Sequence, residues 1–231
     1  RDDFQLEDET LFCSILPTAT QYARNAMFAG LMPYEIKKMY PELWLDDEEE
    51  GGKNLNEDQL LEKQIARLGR KTKFNYEKIN NLKAGKKLVE NFNNLLNKPL
   101  TVIVYNFIDM LSHARTEMQM IRELANDESA YRSLTLSWYQ HSPLRDLLKE
   151  LVSVKAKIII TTDHGTVKVN TPVKVIGDRN TTTNLRYKQG RNLNYNRKEV
   201  FEITKPQNAH LPYSNISSSY IFAMADDFFA Y

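Results

Sequence analysis

The amino-acid sequence predicts an α/β protein with a mostly parallel sheet covered by helices on both faces. Three observations lead there. Short apolar runs recur at 11–16, 100–108 and 156–162, each too short for a core helix. Longer stretches with apolar residues at helical spacing separate them, and strands alternating with such helices form parallel sheets buried from both sides. Two of the runs end in an aspartate and a histidine, at the edge where open α/β sheets carry their ligands.

The elements follow in order. Leu11-Phe12-Cys13-Ser14-Ile15-Leu16 reads as a short buried strand stopped by Pro17. Thr18 or Thr20 can then cap a helix over Gln21 to Leu31, which ends at Gly30-Leu31-Met32-Pro33. A strand, a tight turn and a helix start in succession aim backbone N–H groups and a positive dipole end at whatever lies over the turn, which favours phosphate. Asp46 to Asn56 is acidic, contains glycine and lacks apolar periodicity, so it reads as a mobile surface loop. Helices are expected over Glu57–Leu68 and Ile79–Leu96. Pro99 resets the chain into a strand over Leu100–Ile108. A long helical stretch after His113 has Met118, Ile121 and Leu124 as one face, and a further helix covers Pro143–Val152. The third strand is Ala156–Thr162. Beyond Thr166 the valines 167, 169, 173 and 175 suggest short strands, the stretch from Gly177 to Glu199 is polar and basic, and Ile221–Met224 reads as a final buried strand.

Composition narrows the function classes. The 231 residues, 42% hydrophobic, suffice for one substantial core, expected as a single domain over 1–231 with a helical insertion around 34–98. The chain starts without methionine and stops in strand-like sequence, Phe228-Phe229-Ala230-Tyr231, so the fold is expected to be truncated at both ends. Basic residues number 31 against 30 acidic ones, and a net charge of +1 gives no global attraction to nucleic acid or an anionic membrane. The single cysteine, Cys13, cannot form an internal disulfide and reads as a small buried hydrophobe. No run approaches the ~20 apolar residues of a membrane span, and Arg1-Asp2-Asp3 does not start a signal peptide, so no membrane insertion and a cytoplasmic location are expected.

Four histidines allow the candidate chemistry to be enumerated. Asp163 and His164 end the third strand, and Gly165 can supply the freedom to turn both toward one metal ion. Zinc accepts imidazole nitrogen and carboxylate oxygen at about 2.0 to 2.2 Å. A hydrogen-bonded Asp and His without metal is the competing reading. Asp109 and His113 share a face if their strand hands over to a helix. Two such sets on neighbouring strand ends would suit a pair of metals ~3.5 to 4 Å apart that clamps a transferring phosphoryl group. Thr20 at a helix N-terminus is a candidate nucleophile or simply an N-cap. His141 reads as a helix-end histidine. Arg179, Arg186, Lys188, Arg191 and Arg197, interleaved with Tyr187 and Tyr195, form a basic and aromatic patch able to pair phosphates and stack bases, or an ordinary polar loop.

Together the segments ILPTATQYARNAMFAGLMP (15–33), YNFIDMLSHAR (105–115) and ITTDHGT (160–166) resemble the PglZ domain of the alkaline phosphatase superfamily. Order, spacing and strand context agree across most of the chain. The stretch NLRYKQGRNLNYN (184–196) is similar to PglZ-type effector domains of two-component response regulators associated with type IX secretion. The resemblance implies an alkaline-phosphatase-like fold with two zinc ions. Asp163, His164 and the nucleophile Thr20 would serve one, and Asp109 and His113 the other. Two further family ligands, an aspartate on a strand upstream of Leu11 and a histidine in a His-Gly-Gly segment beyond Tyr231, have no match here. His210 could substitute for the second, although no Gly-Gly follows it. Without both, the sites would be metal-poor and the chain inactive as it stands.

The function so implied is a zinc-dependent phosphodiesterase or phosphatase in which Thr20 attacks phosphorus in line. Oligonucleotides would be substrates, bound by Arg179, Arg186, Lys188 and Arg191. The implied partners are an upstream receiver domain, a second copy of the chain and secretion components. The alternative is a non-catalytic signalling domain that dimerises or binds secretion components, with structural or vestigial zinc.

Overall fold

The helix expected after Pro17 forms, and its burial organises the part of the chain around it. The computed structural model describes residues 3–46, 52–178, 181–215 and 217–230, the side chains of 116 and 117 excepted. The helices are α1 (Thr20–Ala29), α2 (Pro33–Met39), α3 (Glu57–Arg67), α4 (Leu82–Glu90), α5 (Phe92–Leu95), α6 (Phe107–Glu117), α7 (Gln119–Leu124), α8 (Glu128–Gln140) and α9 (Pro143–Leu151). The strands are β1 (Phe74–Ile79), β2 (Leu100–Tyr105), β3 (Thr171–Ile176), β4 (Tyr187–Gly190), β5 (Asn194–Tyr195), β6 (Val200–Ile203), β7 (Ser219–Ala223) and β8 (Asp227–Ala230). They fall into two compact units, one within 1–9 and 71–159, the other within 10–70 and 160–231.

In the unit that carries α1, this helix buries Tyr22, Ala23, Phe28 and Ala29. The Tyr22 ring meets Trp44 and Tyr187 edge-on, each at 5.7 Å, the geometry preferred by aromatic quadrupoles. Its hydroxyl lies 3.2 Å from that of Tyr220 on β7, so α1 is tied to the antiparallel sheet β4-β7-β6. A second sheet pairs β3 with β8 in parallel and with β5 antiparallel. Val173, Val175, Val200, Ile221, Ala223 and Phe229 form the core of these strands. Helix α1 stops at Gly30, which takes a left-handed φ of 58° and returns its N–H to the Ala26 carbonyl. The stop also makes room for α3, because a Cβ at Gly30 would stand 2.4 Å from Gln64 Nε2.

In the other unit β1 and β2 pair in parallel, Ile79 opposite Tyr105. Ile79, Leu88, Phe92, Leu95 and Leu147 pack as their core. Helix α6 starts two residues after β2 ends, and the Asn106 N–H at the junction donates to the Ile79 carbonyl.

The α/β class is present, with parallel pairs in both units, and the sheets are more mixed than the sequence suggested. Several expected elements differ. Leu11–Leu16 and Ala156–Thr162 are not strands, and Leu11 and Ile160 are 94% and 83% exposed. A β-branched run favours extended backbone, but a strand needs a neighbour for its ladder, and among the described residues neither run has one. Cys13 is therefore exposed rather than buried. Within the expected helical insertion, Phe74–Ile79 forms β1 between α3 and α4, and the helix expected over Ile79–Leu96 starts only after it, at Leu82, as α4 and α5. The helical stretch expected after His113 begins before it, at Phe107, and is broken into α6, α7 and α8. Met118 and Leu124 are exposed, so they make no buried face. Strand β7 fills the place expected of a final strand, and β8 follows it. Of the acidic loop, 47–51 lie outside the described residues. Its far end is anchored: Asn54 Nδ2 donates to the Thr20 carbonyl at 3.0 Å. No helix among the described residues is long and apolar enough to cross a membrane.

Candidate functional site

The first turn of α1 presents Thr20 at the helix start. The N-cap is Ala19, no side chain caps the helix, and Thr18 is exposed, so neither threonine has the capping role open to it in sequence. Thr20 faces a tertiary neighbour instead: its Oγ lies 3.2 Å from His164 Nε2. His164 Nδ1 is 2.9 Å from the Gly165 carbonyl, a pure acceptor, so Nδ1 carries a hydrogen, and in the neutral imidazole Nε2 then has the lone pair. In that tautomer the Thr20 hydroxyl donates to Nε2.

Asp163 completes the group. Its Oδ2 lies 3.8 Å from His164 Nε2 and accepts from Arg24 Nε at 3.1 Å. Ser14 Oγ donates to the Asp163 carbonyl at 2.7 Å, and Thr162 Oγ to that of His164 at 2.8 Å, so the peptide that carries the pair is anchored without a β-ladder. Gly165 is not what turns the chain here. Its φ is outside the left-handed region and a Cβ would meet open space.

Sequence reasoning passed over Arg24, Ser14, Asn54 and Glu57. Arg24 lies one helical turn after Thr20, a spacing that could have flagged it. The others are contacts across long chain separations with no local signal. The Arg24 side chain is buried between Asp163 and Glu57, whose Oε1 lies 3.5 Å from Nη1.

Asp109 and His113 stand in the first turns of α6 on one face, as their spacing predicts, with Nε2 3.7 Å from Oδ1. Their side chains are 38% and 69% exposed, against 10% and 19% for Asp163 and His164. His210 takes a left-handed φ of 56°, and its Nδ1 lies 2.5 Å from Glu35 Oε1. His141 is the exposed C-cap of α8.

Among the described residues the basic side chains of this stretch do not share one exposed surface. Arg179 lies outside the described residues. Lys188 is 1% exposed within β4, and Arg186 Nη1 donates to the Met224 and Asp227 carbonyls, bracing the β7–β8 turn. Arg191 and Arg197 are exposed, and Arg197 pairs with Glu202 at 3.5 Å. Tyr187 is buried. Tyr195 donates to Glu202, and partial burial with that carboxylate beside it pushes its phenol up to about 12.

Residues 2–231 match the family of the BREX system PglZ alkaline phosphatase-like domain. The chain belongs to the PglZ family. None of the curated proteins matches it. PglZ membership suggests a hydrolase of the phosphoesterase type, and the three groups around Thr20 suit that chemistry. Ligands about 2.0 to 2.1 Å from a tetrahedral zinc stand roughly 3.3 Å from one another. The separations of 3.2 Å between Thr20 and His164 and 3.8 Å between His164 and Asp163 are close to that edge. An oxygen, a neutral imidazole nitrogen and a carboxylate are donors that zinc accepts, so Thr20, Asp163 and His164 fit one cation with a position to spare. No cluster of three or more His, Cys, Asp or Glu side chains lies within metal reach among the described residues.

Proposed function

We propose that this PglZ domain is a zinc-dependent phosphodiesterase or phosphatase whose nucleophile is Thr20. The observation that carries the reading is the 3.2 Å approach of Thr20 Oγ to Nε2 of His164, with Asp163 alongside. Zinc held by Thr20, Asp163 and His164 would polarise a phosphoryl oxygen and lower the hydroxyl pKa of Thr20. The chain's own groups do the rest. The start of α1 puts a positive dipole end where the phosphoryl charge develops. His164, its Nδ1–H tied to the Gly165 carbonyl, keeps Nε2 aimed at Thr20 Oγ, and Asn54 pins the Thr20 carbonyl so that the hydroxyl cannot rotate away with its backbone. Asp109 and His113 would serve a second zinc.

The likeness of residues 184–196 supports a finer assignment, an effector domain like that of PorX, the response regulator of type IX secretion. On that assignment the substrates are oligonucleotides and the partners are a receiver domain in the parent protein, a second copy of the chain and secretion components. Of the described residues among Arg179, Arg186, Lys188 and Arg191, Arg191 has an exposed side chain suited to a phosphate. A second reading, a non-catalytic interaction domain, draws on the exposed apolar side chains of Leu11, Phe12 and Ile160.

The test is metal content together with hydrolysis of bis-p-nitrophenyl phosphate, with and without chelator. Chelator-sensitive turnover is expected. A zinc-loaded protein without chelator-sensitive turnover would favour the interaction domain.

A further inference from the structure

Arg24 is a charged side chain 8% exposed, and its guanidinium contacts two carboxylates from different parts of the chain. Nε reaches Asp163 Oδ2 at 3.1 Å, across 139 residues, and Nη1 lies 3.5 Å from Glu57 Oε1. Glu57 is itself 1% exposed at the start of α3. The buried guanidinium donates from Nε to Asp163 and is balanced at Nη1 by the Glu57 ion pair at 3.5 Å, so its charge is held beside Asp163 from two sides. Arg24 also sits on α1, one turn from Thr20, and the same helix therefore carries the nucleophile and the group that aims the carboxylate. Ser14 fixes the Asp163 main chain and Arg24 fixes its side chain.

Resting on the reading of Thr20 as a metal-bound nucleophile, we infer that Arg24 is a positioning residue. It holds Asp163 at the His164 and Thr20 side of the site, with Glu57 as its counterweight, and so prepares the cation site before the cation arrives. Partners that orient a metal ligand typically contribute 10–100-fold to metal affinity. Arg24 touches neither substrate nor reacting atoms in this arrangement.

The experiment is zinc competition against a chromogenic chelator on four proteins: the native chain, Arg24→Lys, Asp163→Ala and the double variant. Lysine keeps a positive charge beside Glu57 but cannot span both carboxylates. Arg24→Lys should weaken one zinc by about 10–100-fold. In the Asp163→Ala background the same change should have no further effect, because the group that Arg24 orients is gone. Excess zinc should restore kcat in Arg24→Lys with KM for bis-p-nitrophenyl phosphate unchanged, whereas a merely structural loss would not be rescued by zinc. If Arg24→Lys does not fold, the paired neutral variant Arg24→Gln with Glu57→Gln supplies the same comparison. Native zinc affinity in Arg24→Lys, or a loss that adds in full to that of Asp163→Ala, would overturn the positioning role alone. No zinc bound by the native chain would overturn the metal reading of Thr20 and the role of Arg24 with it.

Discussion

The Thr20 group and the Asp109/His113 pair contain the same kinds of side chain and were found by the same kind of pattern, yet they are held very differently. Asp109 and His113 meet because four residues of one helix bring them together, and both remain open to water. Thr20, Asp163 and His164 meet across more than 140 residues of chain, with Ser14, Arg24 and Asn54 fixing their backbone or side chains. Local spacing makes a pair. Preorganisation comes from tertiary contacts that lock rotamers and lower the entropy lost when a ligand binds.

The largest effect that separates the two regions should come from Thr20→Val. Turnover of bis-p-nitrophenyl phosphate is expected to fall on the order of 10⁴-fold, as when a nucleophile that acts with its partners as a unit is removed. Zinc content should be retained through Asp163 and His164, and full activity would remove Thr20 from its role. Next come the ligands. Asp163→Ala is expected to weaken zinc by more than about 100-fold, beyond what an orienting partner contributes. His113→Ala should lower affinity by about tenfold, since a half-exposed pair has less preorganisation to lose. Equal losses by chelator competition would erase the distinction between the regions.

A smaller effect tests the scaffold beneath the Thr20 group. Gly30→Ala puts a Cβ at a φ of 58° and within 2.4 Å of Gln64 Nε2. The left-handed backbone alone should cost about 1–2 kcal/mol in chemical denaturation, and crowding against α3 adds to it. An unchanged midpoint would show that α1 and α3 do not set each other's position. The smallest effect lies away from either site. The Tyr195 phenol, raised to about 12 by partial burial and Glu202, is neutral in the folded protein at a pH where the unfolded chain ionises. Its contribution to stability is therefore complete below the ordinary phenol value of about 10 and is lost as pH rises from there toward about 12. Tyr195→Phe should flatten that alkaline slope and, by removing the hydrogen bond to Glu202, lower stability at neutral pH by about 0.5–1.5 kcal/mol.

How much of this was legible in the sequence divides along the same line. The i to i+4 spacing of Asp109 and His113 foretold a shared helical face because the helix repeat is local. The breaker Gly30 and the β-branched residues of β2 marked their elements for the same reason. Ile158-Ile159-Ile160 read as a strand from composition, but a strand is defined by its neighbour, and no described segment pairs with it. Phe74–Ile79 was passed over because its alternation of polar and apolar residues is weak, and its pairing with Leu100–Tyr105 is what makes it a strand. Within the site, Thr20, Asp163 and His164 could be named individually from motif and resemblance. Arg24, Glu57 and Ser14 could not, since their roles depend on contacts that only the folded chain creates. Lys188 shows the converse: a lysine in a polar stretch reads as surface, and here it is interior because β4 lies in the middle of buried packing.

The central claim is that Thr20 carries the nucleophilic hydroxyl of a phosphoester-cleaving site. Acid quench of the zinc-loaded protein during turnover of bis-p-nitrophenyl phosphate, followed by peptide mass mapping, tests it directly. The account predicts a phosphoryl-bearing peptide that contains Thr20 and disappears in Thr20→Val. Turnover without such a label, or a label on another residue that survives in Thr20→Val, would contradict it.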